Sequence, residues 1–410
     1  MSKEIKSRLK ENCLQDTLDD VVKNFIGEIE GISEYAPFVM MLIEKKANDD
    51  HNQYGKFLRK RAGKVIGNNY FLPIKYMTLA NHLERRTRAS RNSYRIFPRS
   101  FVVSLISTFD GYIGKLLSKF LISKPELLNA LDKSISLSQL QQFSCVEQAK
   151  IYFAEKEIED LLRESHLKHF NWMENKFNIV LRKDLTVWPA FIELTERRNL
   201  FVHCNGIISR QYLTICKEND VNLEKEFKLG KELGVSPAYF NKAYECVFEI
   251  GVKLAHVLWR KLFPNELKQA DGNLIDVVYD LLLAENYVLA KIISDFSRNT
   301  LKKYHNEESR RVFLINSAIA CCFSGETRKG LEILNKEDWS SCNNSFKLGV
   351  AVLNKKYSEA VIIMKKIGTK GEVQREEYKE WPLFKNFRNT PEFKKVYKDI
   401  FNENFNVKSS

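Results

Sequence analysis

Glu196-Arg197-Arg198-Asn199-Leu200-Phe201-Val202-His203-Cys204-Asn205-Gly206 is the stretch around which the chain is organised. Helical periodicity runs into it from Leu185 through Leu194, and Gly206 is the kind of residue that ends a helix. His203 therefore falls in a last helical turn, where the negative end of the macrodipole favours a cation. The spacing from Arg198 to His203 leaves the two about 140° apart around an ideal helix axis. One copy of the helix does not aim both groups at one atom. Two copies facing across a two-fold axis would pool two arginines and two histidines in one cleft.

The rest of the chain reads as all-α. Aromatic residues are plentiful, while 9 prolines and 17 glycines in 410 residues are few, which suits helices. That length implies two or three domains with substantial cores. No apolar run approaches roughly 20 residues, so no membrane span is expected. The start, Met1-Ser2-Lys3-Glu4-Ile5-Lys6, lacks the apolar core of a signal peptide. The 8 cysteines, among them the adjacent Cys321 and Cys322, show no metal-ligand spacing and read as reduced thiols of a cytoplasmic protein. Without a phosphate-binding glycine loop either, neither cofactor nor metal is expected, and no membrane partner.

Working outward, Leu9 to about Glu44 is helical, with a break predicted between Ser33 and Phe38 around Pro37. Gly63, Gly67 and Asn68-Asn69 mark loops. Phe101 to Leu121 carries one apolar stripe, from Val102 and Leu105 to Leu117 and Phe120. Helices follow at about Val146 to Ser165, Trp172 to Phe177 and Trp188 to Cys204; Ile207 to Val235 reads as a loop or short hairpin. Ser236-Pro237 starts a helix that Pro264 stops. Beyond Glu266, Tyr279 to Ser294, Val312 to Ser324, Thr327 to Leu334, Ser345 to Leu353 and Tyr357 to Ile367 read as consecutive hairpins. Small residues such as Ala318, Gly349 and Ala360 fall at their crossings. These divide the chain into a basic helical region 1–96, a central domain 97–265 and a repeat region 266–410.

The formal charge of +13 is uneven. Between His51 and Phe109 lie twelve Lys and Arg against one acid, Glu84, a net of +11. Such an imbalance points to a polyanion, with a solvated face as the plain alternative. Arg85, Arg86, Arg88, Arg91 and Arg95 are the candidate RNA contacts, interleaved with Tyr94 and Phe97, which stack on bases or simply fill a core.

Arg198, Asn199 and His203, with Leu200, Phe201, Val202, Gly206 and Tyr212-Leu213 around them, resemble the signature of the HEPN superfamily, and in particular its prokaryotic toxin and phage-defence branch. The resemblance implies a helical bundle whose first helix begins near Phe101, with Asp110 and Tyr112 where related chains often carry an acid and an aromatic. Asp110 itself reads as a half-exposed polar residue. The C-terminal hairpins resemble degenerate tetratricopeptide-type repeats, an α-solenoid that binds protein segments. His166 and His169 lie close together with no evident carboxylate or cysteine to complete a metal set, and read as ordinary surface or junction histidines.

What the resemblance implies chemically is metal-independent endoribonuclease activity, as a toxin or anti-phage effector. His203 suits acid–base work, an unperturbed imidazole titrating near pH 6.5. Arg198 suits stabilising a crowded phosphorane, its planar fork remaining charged, and Asn199 would orient the pair. The RNA 2′-hydroxyl would be the nucleophile. Expected partners are RNA, a second copy of the chain, and an antitoxin or regulatory protein. The alternative is a non-catalytic helical module that scaffolds partners through its C-terminal repeats.

Overall fold

The computed structural model describes residues 16–67, 69–128, 143, 145–183 and 185–405. Fifteen α-helices and one two-stranded hairpin are found among them, so the fold is all-α. Two compact units divide the chain, residues 1–251 and 252–410.

The first unit opens with α1 (Leu18–Arg61). A capping box starts it: Asp20 N–H donates to Thr17 Oγ1 at 3.1 Å, and Thr17 N–H donates to the Asp20 carboxylate at 2.8 Å. Acids in its first turn and Arg59, Lys60 and Arg61 in its last complement the helix dipole. The break predicted at Pro37 does not occur. Proline removes only one ladder hydrogen bond, and burial of Ala36 and Met40 beside it outweighs that loss. Strands β1 (Lys64–Ile66) and β2 (Asn69–Phe71) form a tight antiparallel hairpin where only a loop was predicted. The chain then returns in α2 (Met77–Ser123).

α1 and α2 pack antiparallel, as the pairs Phe57 with Tyr76, Asp50 with Arg86 and Phe25 with Tyr112 show. The expected division at 96/97 lies inside α2, which runs through Pro98 unbroken. α2 is the one described helix long and apolar enough to cross a membrane by length and composition. Its stripe of Val102, Leu105, Ile106, Phe109, Ile113, Leu116, Leu117 and Phe120 is instead fully buried in the core. Each such side chain contributes about 1.5–3 kcal/mol of burial.

Against α2 pack α3 (Val146–Leu162) and α5 (Trp188–His203), with α4 (His166–Phe177) between them in sequence. Phe109 meets Phe191 of α5 edge-on, with 5.1 Å between ring centroids. The segment predicted as loop or hairpin contains α6 (Arg210–Glu218), capped by Ser209, and one bridge between Ile207 and Glu232. Periodicity was hidden there because α6 has only one buried side, Tyr212 and Cys216. α7 (Pro237–Leu262) starts at Ser236, whose Oγ accepts from Tyr239 N–H. It passes through the division between the units.

The second unit comprises the end of α7 and α8 (Leu267–Leu283), α9 (Tyr287–Asn299), α10 (Glu307–Phe323), α11 (Thr327–Asn335), α12 (Asn344–Leu353), α13 (Tyr357–Ile367), α14 (Arg375–Glu380) and α15 (Pro391–Phe401). Asparagine caps at Asn286, Asn306 and Asn343 set the starts of α9, α10 and α12. The segment Tyr279 to Ser294, read as belonging to the hairpins, spans the turn between α8 and α9, where Glu285 sits in the left-handed region at φ 57°. α10 packs on α11 and α12 on α13 as the hairpins predicted. At the α10–α11 crossing, a Cβ on Gly330 would stand 2.9 Å from the Ala318 carbonyl oxygen, which only glycine permits.

Candidate functional site

α5 carries the motif, and its two sides have different environments. Arg197 points into the protein. Its Nε donates to Glu193 at 2.7 Å, and its guanidinium lies 3.9 Å over the Tyr239 ring. Tyr212 and Tyr239 hydroxyls donate to the same carboxylate at 2.6 and 2.8 Å. One buried glutamate therefore ties α5 to α6 and α7. Burial, with the Glu193 charge behind it, pushes the Tyr212 hydroxyl far above its usual range. Arg197 is thus a structural clamp, although it stands beside Arg198 in the motif.

Arg198 lies on the other side, partly exposed. Its Nη2 reaches Asp110 at 3.4 Å and its Nη1 donates to Asn199 Oδ1 at 3.1 Å. Asn199 in turn reaches Glu196 at 3.4 Å, and burial pushes the Glu196 carboxyl up against the opposing effects of His166 and the Asn199 amide. The other Asp110 oxygen pairs with His166 Nε2 at 2.8 Å. Asp110 is half-exposed as read, at 24% of its side chain, and in addition forms a junction between the motif arginine and α4.

Of the surface and junction readings of the α4 histidines, burial leaves the junction one. His166 is 8% exposed and His169 is 1% exposed, so neither is a surface residue. Their ring centroids lie 5.0 Å apart, and Asp110 completes with them a set whose ligand atoms all fall within 4.8 Å. The carboxylate is not visible from the local sequence because it is 56 residues upstream of His166. Burial, followed by the neighbouring His166, pushes His169 down to about 4. The Asp110 charge, and after it the Leu161 and Glu164 carbonyls, oppose that shift, but neither ring nitrogen of His169 has a hydrogen bond of normal geometry.

His203 occupies the last turn of α5 as expected, and there it is exposed beside the exposed Val202. Among the described residues it makes no hydrogen bond or ion pair. Within one chain the fold therefore brings Arg198 to Asn199 and Asp110, and leaves His203 outside that group.

The turn after His203 is held from α2. Arg99, 8% exposed, donates to the Asn205 carbonyl at 2.7 Å and the Leu233 carbonyl at 2.8 Å, and also pairs with Glu232. Gly206 sits at φ 79°, and a Cβ there would stand 2.9 Å from the Arg99 guanidinium carbon.

The five candidate RNA-contacting arginines separate into groups. Arg86 Nε donates to the buried Asp50 at 2.8 Å, where Lys46 and Ser90 also bind, and these bonds hold the Asp50 carboxyl low against the effect of burial. Arg91 lies 3.2 Å from the His51 ring and Arg95 3.4 Å from Glu232. Arg85 and Arg88 are exposed and unpaired among the described residues. The lopsided charge count missed the pairing because Asp50 lies just before the basic stretch and Glu232 far beyond it.

A cavity of about 1060 Å³ lies on the Arg197 side, lined by Glu193, Arg197, Phe227 and Tyr239 among others; it does not reach Arg198, Asn199 or His203. The chain matches no known family model, no curated protein and no solved structure.

Proposed function

We propose that the chain is a metal-independent endoribonuclease of HEPN type that acts as a dimer, with the role of a toxin or anti-phage effector in the cytoplasm. The observation that carries this reading is the arrangement on α5: Arg198 is fixed by Asp110 and Asn199 while His203 stands exposed and unpaired beside Val202. A second α5 brought against this exposed turn would supply the missing partner for each arginine. Arg198 would then stabilise the charge of the phosphorane, and His203 would move the proton of the 2′-hydroxyl or of the leaving oxygen. The reacting nucleophile belongs to the substrate, so the scheme calls on no serine or cysteine of the protein. The helical hairpins of the second unit suit capture of a regulatory protein segment.

Incubating the purified chain with total RNA in EDTA tests the activity. Cleavage is expected in wild type and lost in both His203→Ala and Arg198→Ala. Mixing the two variants should restore part of it if the groups are shared across the two-fold axis. Cleavage by His203→Ala at the wild-type rate would end this assignment.

A further inference from the structure

We propose that Asp110, His166 and His169 form a binding site for one divalent transition-metal ion of the zinc class, held between α2 and α4. The site goes beyond the nuclease reading and does not depend on it. Three features of the fold converge on it. His166 and His169 are three apart at the start of α4, so both imidazoles project from one helix face. Asp110 stands opposite on α2, with one oxygen turned to His166 at 2.8 Å. The third feature is His169 itself. It is 1% exposed, neither ring nitrogen makes a hydrogen bond of normal geometry, and its ligand atom lies within 4.8 Å of the other two.

A buried imidazole without a well-formed hydrogen bond loses up to about 1–3 kcal/mol per unmet group. Coordination is the chemistry that would use it. Two imidazoles and one carboxylate are a ligand set that zinc accepts, with about 2.0–2.2 Å from each donor to the ion and a fourth position left to water. Around such an ion the donors stand roughly 3.3 Å apart. A modest inward shift therefore closes the set, and His166 exchanges its hydrogen bond to Asp110 for the ion. The second Asp110 oxygen keeps Arg198 at 3.4 Å, an outer-shell partner of the kind that fixes ligand orientation. Calcium and magnesium are disfavoured, since both prefer sets made of oxygen.

The test uses the full chain, stripped with a chelator, desalted and titrated with Zn²⁺ by calorimetry and with Co²⁺ by absorption. One ion per chain is expected, with cobalt bands free of a thiolate charge-transfer component, which separates the site from the cysteines. His169→Ala and Asp110→Asn should each weaken binding by at least roughly tenfold. Because His169→Ala opens a buried position, circular dichroism of each variant is compared with wild type, and Asp110→Asn, at a partly exposed residue, provides the variant least exposed to misfolding. No stoichiometric ion in wild type, or unchanged affinity in a folded Asp110→Asn, would reduce the three residues to a buried polar cluster. RNA cleavage is not part of the readout, so failure here leaves the nuclease assignment standing, and failure there leaves this one.

Discussion

Replacing Arg85 and Arg88 together by glutamine removes two cations that, among the described residues, pair with nothing in the fold. If both contact the phosphate backbone of single-stranded RNA, each lost contact removes a released counterion, and the slope of log affinity against log salt should shallow by roughly 0.7 per contact, about 1.4 for the pair. Arg86→Gln is the internal contrast. Its guanidinium is committed to the buried Asp50, so its loss should leave the slope close to wild type and act on stability instead. Charge-assisted hydrogen bonds contribute about 1.5–3 kcal/mol each, but Arg86 is 39% exposed and Lys46 remains on Asp50, so about 1–2 kcal/mol is the reasonable net loss. For a unit of this size that lowers Tm by a few degrees. Fluorescence anisotropy with a labelled single strand at several salt concentrations, alongside thermal melts, reads both effects. An unchanged salt slope in the Arg85/Arg88 double variant would refute RNA contact by this stripe. A five-arginine variant would not decide the matter, because loss of the Asp50 pair would weaken the fold and imitate loss of binding.

Glu193→Gln should cost about 3–5 kcal/mol in urea unfolding, because it strips the countercharge from buried Arg197 while two tyrosine hydroxyls depend on the same group; a loss below 1 kcal/mol would show the clamp to be dispensable. Gly206→Ala should cost about 1–3 kcal/mol from its positive φ alone and loosen the turn beside His203, which faster amide exchange at Asn205 and Ile207 would report. The pH dependence of stability should show His256, which burial and then Arg260 push down to about 3 against the hydrogen bond to Asn273. The unfolded chain takes up this proton near pH 6.5 and the folded one does not. The stabilisation is therefore complete above about 6.5 and falls by up to about 1.4 kcal/mol per pH unit as the pH drops toward 3. Urea midpoints between pH 7 and 5 that fall in parallel for wild type and His256→Gln would contradict the assignment of that slope.

The helices that the sequence announced best were those with two agreeing signals. α7 has a serine cap, a proline at its first position and a proline after its end, and it was predicted almost to the residue. α10 to α13 have small residues at crossings and short polar breaks. Pro37 misled, since local propensity counts the lost hydrogen bond but not the partner helix alongside. α6 is too short to show a stripe, and the β1–β2 hairpin too exposed to show alternation. Arg198, Asn199 and His203 were singled out through the resemblance their stretch carries, and within one chain the fold joins only Arg198 and Asn199. Asp110 and His166 could not be joined by inspection because the contact is tertiary. The pair His166 and His169, three apart after a capping serine, was the available hint. Glu193 and Arg197, four apart with Tyr212 downstream, was another.

α2 bears Arg85 near one end, Arg99 in the middle and Asp110 beyond it, so a single rod serves as a ruler. Arg85 and Asp110 are 25 residues apart along it, up to about 37 Å at 1.5 Å per residue. A strand that touches the arginines while its scissile phosphate lies by Arg198 must bridge that gap, roughly eleven nucleotides at about 3.4 Å each if stacked. If the chain cleaves RNA as proposed, oligonucleotides much shorter than this could be cut or held, but not both at once. Substrate length, and not only base identity, would then be a quantity that the protein measures.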